Sequence, residues 1–339
     1  MKEYNNIVGA FKQYDAFDIV KLICCILVVC IHTNPLPNFF QPIYRLAVPF
    51  FFMISSFLFF TKIKYMESGQ QKAYLWKFTK RSMILYIFWF CALFPTSYIF
   101  FYRSWFSSGA CVGVVRFIVQ FLFSYTFAIP SWYLMASLIG TMLVFYMTKS
   151  NVKIFFIIAL CLYILCCLFS NYFDLLNIHF DEKLWGGVRL QNSFVVSVIW
   201  IYFGYIFANE QHYLKTNILL VVLLVALLYA EYFLIRFFYG TPKCQDCYFM
   251  LVPLCYYLFP CVINWNIKIG NGNTLRMIST IIFCVHHPIS TTVGILFLHH
   301  GFRCGMLNFV ITMLISLCVC LLIIQLTKNR HFQWLKYSY

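Results

Sequence analysis

Long apolar runs follow one another along almost the whole chain, and they limit its possible folds more than any motif does. Hydrophobic residues make up 63% of the 339 residues and charged residues only 10%, whereas a soluble domain carries about 25% charged residues. A chain with so little charge cannot cover a water-facing surface. Because a membrane-spanning helix needs about 20 apolar residues, the sequence predicts an all-α, polytopic integral membrane helix bundle with about ten transmembrane helices.

Polar segments that contain proline or glycine, such as Asn34-Pro35, divide these runs into candidate spans. We predict one domain over residues 1–339 with spans at 16–34, 44–61, 83–102, 130–148, 153–170, 194–208, 216–236, 247–264, 277–298 and 306–326. Residues 110–129 are also apolar, but Arg116 and Gln120 lie one helical turn apart within them. We interpret this segment as a re-entrant or interfacial helix; if it spans, every later segment inverts.

The chain is strongly basic, with 25 Lys and Arg against 10 Asp and Glu. No compact basic domain or nucleic-acid motif is present, so we expect no nucleic-acid partner. Lys and Arg concentrate in cytoplasmic loops of membrane proteins, and this rule places both termini in the cytoplasm. The first apolar run ends without a signal-peptide cleavage pattern, so we expect the first helix to be retained.

The sixteen cysteines predict no disulfide framework, because most lie inside apolar runs where Cys acts as a small hydrophobe. Cys244 and Cys247 have C-x-x-C spacing in a polar loop, but no second such pair exists. An ordinary loop or a local disulfide is therefore favoured over zinc. We predict no metal site.

The first predicted span carries the clearest functional signal, because ionisable residues within a bilayer are costly and usually functional. Asp18, Lys21 and His32 lie close to one helical face, and Asp18 is spaced to pair with Lys21. Histidine titrates near neutral pH, so His32 is suited to remove a hydroxyl proton or to carry an acyl group. The alternative is that the charges snorkel to one membrane surface and His32 is interfacial.

Two further groups of residues are candidates. Arg45 begins the second span and is expected near His32, where it would bind a carboxylate or a developing oxyanion, or else anchor to headgroups. Lys77, Lys80 and Arg81 share one helical face in the loop before the third span. They would bind the phosphates of a cytosolic nucleotide cofactor or anchor anionic lipid.

Two spans contain other polar residues of interest. His286 and His287 precede Pro288 at mid-span, where adjacent histidines diverge by about 100° and make a poor metal pair. A histidine beside the proline is expected to make an internal polar contact. Glu231 is a candidate buried acid in the seventh span, without an obvious partner on its own helix face.

Several of these motifs together resemble the membrane acyltransferase 3 family. The Asp18-x-x-Lys21 pair followed by His32 is similar to the start of the family's membrane domain, and residues 45–55 are similar to its second span. Weaker similarities are Trp132-Tyr133-Leu134, Gly204-Tyr205 and His287-Pro288. The resemblance covers nearly the whole chain.

The resemblance implies a bacterial inner-membrane O-acetyltransferase that moves acetyl from cytosolic acetyl-CoA to a hydroxyl of a cell-surface glycan. It implies His32 as the acyl-transfer residue, Asp18 and Lys21 as shaping the donor channel, and the inner basic loop as the CoA site. The expected partners are the acyl-CoA donor, the acceptor and the lipid bilayer, with Trp132 and His287 as substrate or structural supports.

The sequence departs from the family pattern at two places. The inner loop has Lys77-x-x-Lys80 where the family often has Arg-x-x-Arg, and lysine lacks the bidentate fork of arginine. Ser55-Ser56 replaces the usual Ser-Gly, which implies a bulkier helix contact. The competing hypothesis is a transporter or flippase for a glycan or lipid, and a further one is a membrane sensor or partner subunit, for which the chain offers no appended domain.

Overall fold

The computed structural model describes residues 15–107, 109–123, 128–172, 189–209, 217–240, 246–302 and 304–339. This part of the chain is helical. Its long helices are α1 (Asp15–Thr33), α2 (Ala47–Ile63), α3 (Ser68–Ala92), α4 (Ala110–Phe123), α5 (Trp132–Met147), α6 (Val152–Leu168), α7 (Phe194–Asn209), α8 (Ile218–Tyr239), α9 (Leu251–Ile263), α10 (Gly272–His299) and α11 (Gly305–Leu326). Shorter helical turns include Gln41–Tyr44, Phe94–Ser97, Arg103–Phe106 and the C-terminal segment Arg330–Ser338.

Six helical segments of the described residues are long and apolar enough to cross a membrane. They are α1, Asn38–Ile63, Ile129–Met147, α8, α10 and α11. The prediction of about ten spans is not confirmed, because α4, α6, α7 and α9 are apolar but shorter than a usual span. The apolar composition predicts the class of protein correctly but does not determine how many helices cross the membrane.

The third predicted span, 83–102, differs most from the structure. Helix α3 begins at Ser68, includes the basic loop, and ends at Ala92. A new helical turn, Phe94–Ser97, starts with Pro95 near its beginning, where a missing backbone N–H does no harm. Pro95 therefore explains why one long span is divided. In the predicted interfacial segment, α4 covers Ala110–Phe123, and residues 124–127 lie outside the described residues.

Helix α7 lies at the centre of the bundle, packed against α2, α5 and α6. A methyl group added to Gly204 of α7 would lie 2.6 Å from the carbonyl oxygen of Met53 and 2.9 Å from the backbone nitrogen of Phe57. Ser56 faces the same glycine and donates its hydroxyl to the carbonyl of Phe52, 2.8 Å away. The close contact with α2, at which Ser55-Ser56 implied a bulkier helix surface, is therefore made possible by a glycine on the opposite helix.

We expect Gly204→Ala to lower the free energy of unfolding by about 1–3 kcal/mol, because an added methyl group in a packed core strains its neighbours. Thermal unfolding in detergent would measure the change. Gly69→Ala is the matched control, since nothing lies within 4 Å of its added methyl group. Equal thermal unfolding midpoints for Gly204→Ala and Gly69→Ala would contradict the close contact between α7 and α2.

Glu231 has partners that its own helix face does not reveal. Its carboxylate accepts hydrogen bonds from the backbone N–H groups of Phe249 (2.7 Å) and Met250 (2.8 Å), and from the Tyr172 hydroxyl (2.6 Å). Burial, followed by the bond to Glu231, raises the pKa of Tyr172, so this hydroxyl stays protonated and donates. Glu231 thus fixes the segment that leads into α9, which also carries Asp246.

We expect Glu231→Ala to destabilise the protein by about 3 kcal/mol, because two backbone donors and one hydroxyl lose their acceptor. The exposed Glu67 makes no side-chain cap hydrogen bond, so Glu67→Ala is the control. Thermal unfolding of the purified variants would compare them. A Glu231→Ala protein as stable as Glu67→Ala would show that these hydrogen bonds contribute little.

Candidate functional site

A pocket of about 210 Å³ surrounds His32 near the C-terminal end of α1. It combines an imidazole, two guanidinium groups, a carboxylate, two indoles and two amides. We call it the His32 pocket; its polar and aromatic lining consists of His32, Arg45, Trp132, Tyr133, Tyr163, Arg189, Gln191, Asn192, Trp200, Asp246 and Phe283. The remaining lining is aliphatic, with Cys247 and two prolines. A pocket of this size accommodates a small polar group rather than a polymer.

His32 is half-buried and packs against both histidines of α10. The ring centroids of His32 and His287 are 4.9 Å apart at nearly right angles, and those of His32 and His286 are 5.4 Å apart. His286 is buried, with Nδ1 3.0 Å from the carbonyl oxygen of Ile282. The ring of His287, beside Pro288, therefore lies against the ring of His32. The described residues contain no group of three or more His, Cys, Asp or Glu side chains placed to hold a metal ion.

Arg45 lies on the same pocket as His32 and forms an ion pair with Asp246, through Nη1 and Oδ1. Its Nε is buried and has no hydrogen-bond partner among the described residues. The carboxylate holds the guanidinium in place while leaving one donor free for a ligand. Sequence reasoning missed Asp246, which lies 201 residues from Arg45; the only signal was its position within the Cys244-x-x-Cys247 loop, where Cys244 lies outside the described residues.

Trp132 opens α5 and is buried against Phe52, with ring centroids 5.9 Å apart. It lines the His32 pocket together with Gln191 and Asn192 from the turn that precedes α7. The two amides were not predicted, because nothing in the polar segment around them distinguishes them from ordinary loop residues. They add hydrogen-bonding groups of the kind that orient a hydroxylated ligand.

A second and larger cavity, of about 1010 Å³, lies at the other end of α1. We call it the basic cavity, because seven cationic side chains line it: Lys21, Lys62, Lys77, Lys80, Arg81, Arg276 and Lys336. No Asp or Glu is among the described residues that line it. The C-terminal segment that contributes Lys336 is fixed to α3 by a hydrogen bond from Trp89 Nε1 to the carbonyl of Ser338, at 3.0 Å.

Asp18 does not take Lys21 as its hydrogen-bonding partner, in contrast to the pairing that their spacing suggested. Its carboxylate is buried and accepts two hydrogen bonds from Arg276 of α10, at 3.0 and 3.1 Å. Asp15, one turn earlier, accepts from the backbone N–H of Ile269 at 2.6 Å. Arg276 is 258 residues away from Asp18, so only the folded chain reveals the pair. Asp18 thereby holds Arg276 at the wall of the basic cavity and leaves Lys21 facing the cavity.

The two cavities are arranged along α1. Lys21 lines the basic cavity and His32 lines the His32 pocket; eleven residues of helix separate them by about 16 Å. One site is suited to bind a polyanion, since its wall is cationic. The other is suited to proton transfer and to stabilising a developing negative charge, since it joins an imidazole to a fixed guanidinium.

Residues 14–325 match the family model described as the acyltransferase domain of the acyltransferase 3 family. The chain belongs to the acyltransferase 3 family. This membership covers nearly all of the described helices and supports a membrane acyltransferase. No solved structure matches the chain.

The curated relatives that match this chain are named as racemases rather than as acyltransferases. An amino-acid racemase of Enterococcus faecalis is 23% identical over 93% of this chain, and a second amino-acid racemase of that organism is 26% identical over 79%. A serine/alanine racemase of Enterococcus gallinarum is 24% identical over 75%. The chain spans 46%, 38% and 37% of these relatives, respectively. Less than half of each relative is therefore matched.

Proposed function

We propose that this protein is an integral-membrane O-acyltransferase that moves acetyl from cytosolic acetyl-CoA to a hydroxyl of a cell-surface polysaccharide or related glycan. The observation that carries the proposal is the pair of cavities along α1, one cationic and one with His32 beside Arg45. Membership of the acyltransferase 3 family supports acyl transfer. In this account the basic cavity faces the cytoplasm of a bacterial inner membrane, with both termini on that side.

The donor would bind through its phosphates. CoA carries a diphosphate and a 3′-phosphate, which need cationic partners. Lys77, Lys80 and Arg81 line the basic cavity together with Lys21 and Arg276. Because lysine acts as a point charge, these residues favour binding by overall charge more than by paired geometry. The pantetheine arm would then extend along α1 towards the His32 pocket.

The chemistry would take place at the His32 pocket. His32 takes the proton of the acceptor hydroxyl, and the oxygen attacks the thioester carbonyl carbon. Arg45, fixed by Asp246, stabilises the oxyanion that develops. The carbonyl double bond then re-forms as the C–S bond breaks, which leaves the new ester, and the proton passes from His32 to the departing thiolate to give free CoA. Trp132 and His287 position the acceptor and the imidazole.

A second candidate function is transport of a small solute along the same path. The observation that favours it is the Arg45–Asp246 pair, which presents both charges that a zwitterion would need. The racemase names of the matched relatives point to an amino acid as the solute. Transport predicts tight binding of the solute at the His32 pocket and none of CoA.

Calorimetry on the purified protein separates these candidates. We expect acetyl-CoA and CoA to bind with micromolar dissociation constants, and 3′-dephospho-CoA to bind several-fold more weakly, because one phosphate is lost. Serine and alanine serve as the solutes for comparison. A folded protein that binds serine but gives no heat with acetyl-CoA would overturn the acyltransferase proposal and favour transport.

A further inference from the structure

One hydrogen bond joins a residue that lines the basic cavity to a residue that lines the His32 pocket. Ser55 of α2 lines the basic cavity and Tyr133 of α5 lines the His32 pocket. Their hydroxyl oxygens are 3.3 Å apart. On α10, Thr280 lines the basic cavity and Phe283, one turn later, lines the His32 pocket. The barrier between the cavities is therefore about one helical turn thick on this side.

Aromatic rings fill this barrier. The Tyr133 ring centroid lies 4.5 Å from that of Phe52, 5.7 Å from Phe51 and 5.3 Å from Phe283. Phe51 and Phe283 are themselves 5.7 Å apart. Tyr133 thus contacts rings from both α2 and α10. We call Phe51, Ser55, Tyr133 and Phe283 the constriction.

The chemistry of the constriction selects what can pass it. It contains three rings and two hydroxyls and no charged side chain, whereas the cations of the basic cavity lie on its other side. A polyanion would have to leave its cationic partners and lose its hydration to enter, which is unfavourable. A short neutral group can enter by displacing a ring or a hydroxyl contact.

We propose that the constriction is where the acyl group of the donor passes from the basic cavity to His32, and that Tyr133 sets the longest acyl chain that is accepted. This inference rests on the proposed acyltransferase function. Tyr133 is a positioning residue that determines specificity, since its ring occupies the space that a longer chain would need. The Ser55 hydrogen bond holds that ring in place, and the CoA phosphates remain at the cationic wall.

The first test measures the barrier without any donor. In liposomes loaded with a halide-quenched dye, iodide entry through the wild-type protein should equal that of empty liposomes. Tyr133→Ala should admit iodide at least tenfold faster, whereas Tyr133→Phe, which keeps the ring, should stay tight. The exposed Tyr98 lies outside both cavities, so Tyr98→Ala is the control. If Tyr133→Ala does not fold, Phe283→Ala replaces it with the same expected leak. A folded alanine variant as tight as wild type would overturn the constriction.

The second test measures chain length by calorimetry with acetyl-, butyryl- and hexanoyl-CoA. In the wild type, we expect the longer chains to bind no better than acetyl. In Tyr133→Ala, hexanoyl-CoA should bind at least fivefold more tightly than acetyl-CoA, because the chain occupies the space of the lost ring. If Tyr133→Ala binds CoA normally and ranks the three acyl-CoA donors as the wild type does, the role of Tyr133 in chain length is overturned and the proposed function is not. Absence of CoA binding would overturn the proposed function and the acyl assignment with it, while the iodide result would still decide whether Tyr133 closes the path.

Discussion

Replacing His32 with alanine is expected to reduce acetyl transfer by about 10²–10⁴-fold, the usual contribution of a positioned general base. The imidazole lies at the pocket where Arg45 is held by Asp246, and it is the one imidazole among the described residues that line this pocket. Membranes containing each variant would be supplied with acetyl-CoA labelled in the acetyl group, and label in the envelope fraction would be counted.

The control for this variant is His300→Ala, since His300 lies at the exposed end of α10. It removes an imidazole without touching either cavity. His32→Ala should still bind CoA with wild-type affinity, because the basic cavity lies about 16 Å along the helix. If folded His32→Ala transfers acetyl at the wild-type rate, His32 is not required for the reaction.

The triple change of Lys77, Lys80 and Arg81 to Ala is expected to weaken CoA binding by about 100-fold. Each exposed cation contributes about 1 kcal/mol to a phosphate contact, and every 1.4 kcal/mol is a factor of ten in affinity. Added salt should weaken CoA binding more in the wild type than in the variant, because screening acts on seven cavity cations in the first and on four in the second.

A matched triple variant, with Lys149, Lys153 and Lys328 changed to Ala, removes the same charge from positions outside both cavities. It distinguishes local binding from a general effect of net charge. Equal loss of affinity in the two triple variants would mean that the protein attracts CoA only through its overall charge. Unchanged affinity in the first variant would place the donor elsewhere.

The sequence predicts those features that depend on local pattern. The first helix was expected over 16–34 and is Asp15–Thr33, because an apolar run between polar residues needs no tertiary information. The position of Arg45 at the start of the second span likewise followed from a short loop. Both features depend on residues that are close together in the sequence, so they can be predicted without knowledge of the tertiary fold.

Features that depend on pairing between distant helices could not be predicted. Asp18 binds Arg276 and Arg45 binds Asp246, across 258 and 201 residues. Each partner lies in a segment whose own pattern gives no sign of the contact. The predicted span 83–102 is divided near Pro95, and an average of hydrophobicity over a window does not detect such a break.

Doubly labelled acetyl-CoA tests the central claim most directly. Membranes with the wild-type protein receive a donor with one label in the acetyl group and another in the CoA portion, together with envelope material as acceptor. We expect the acetyl label to move to the envelope fraction while the CoA label remains soluble, and we expect His32→Ala to stop this movement. Movement of neither label above the level of membranes without the protein, or of both together, would contradict it.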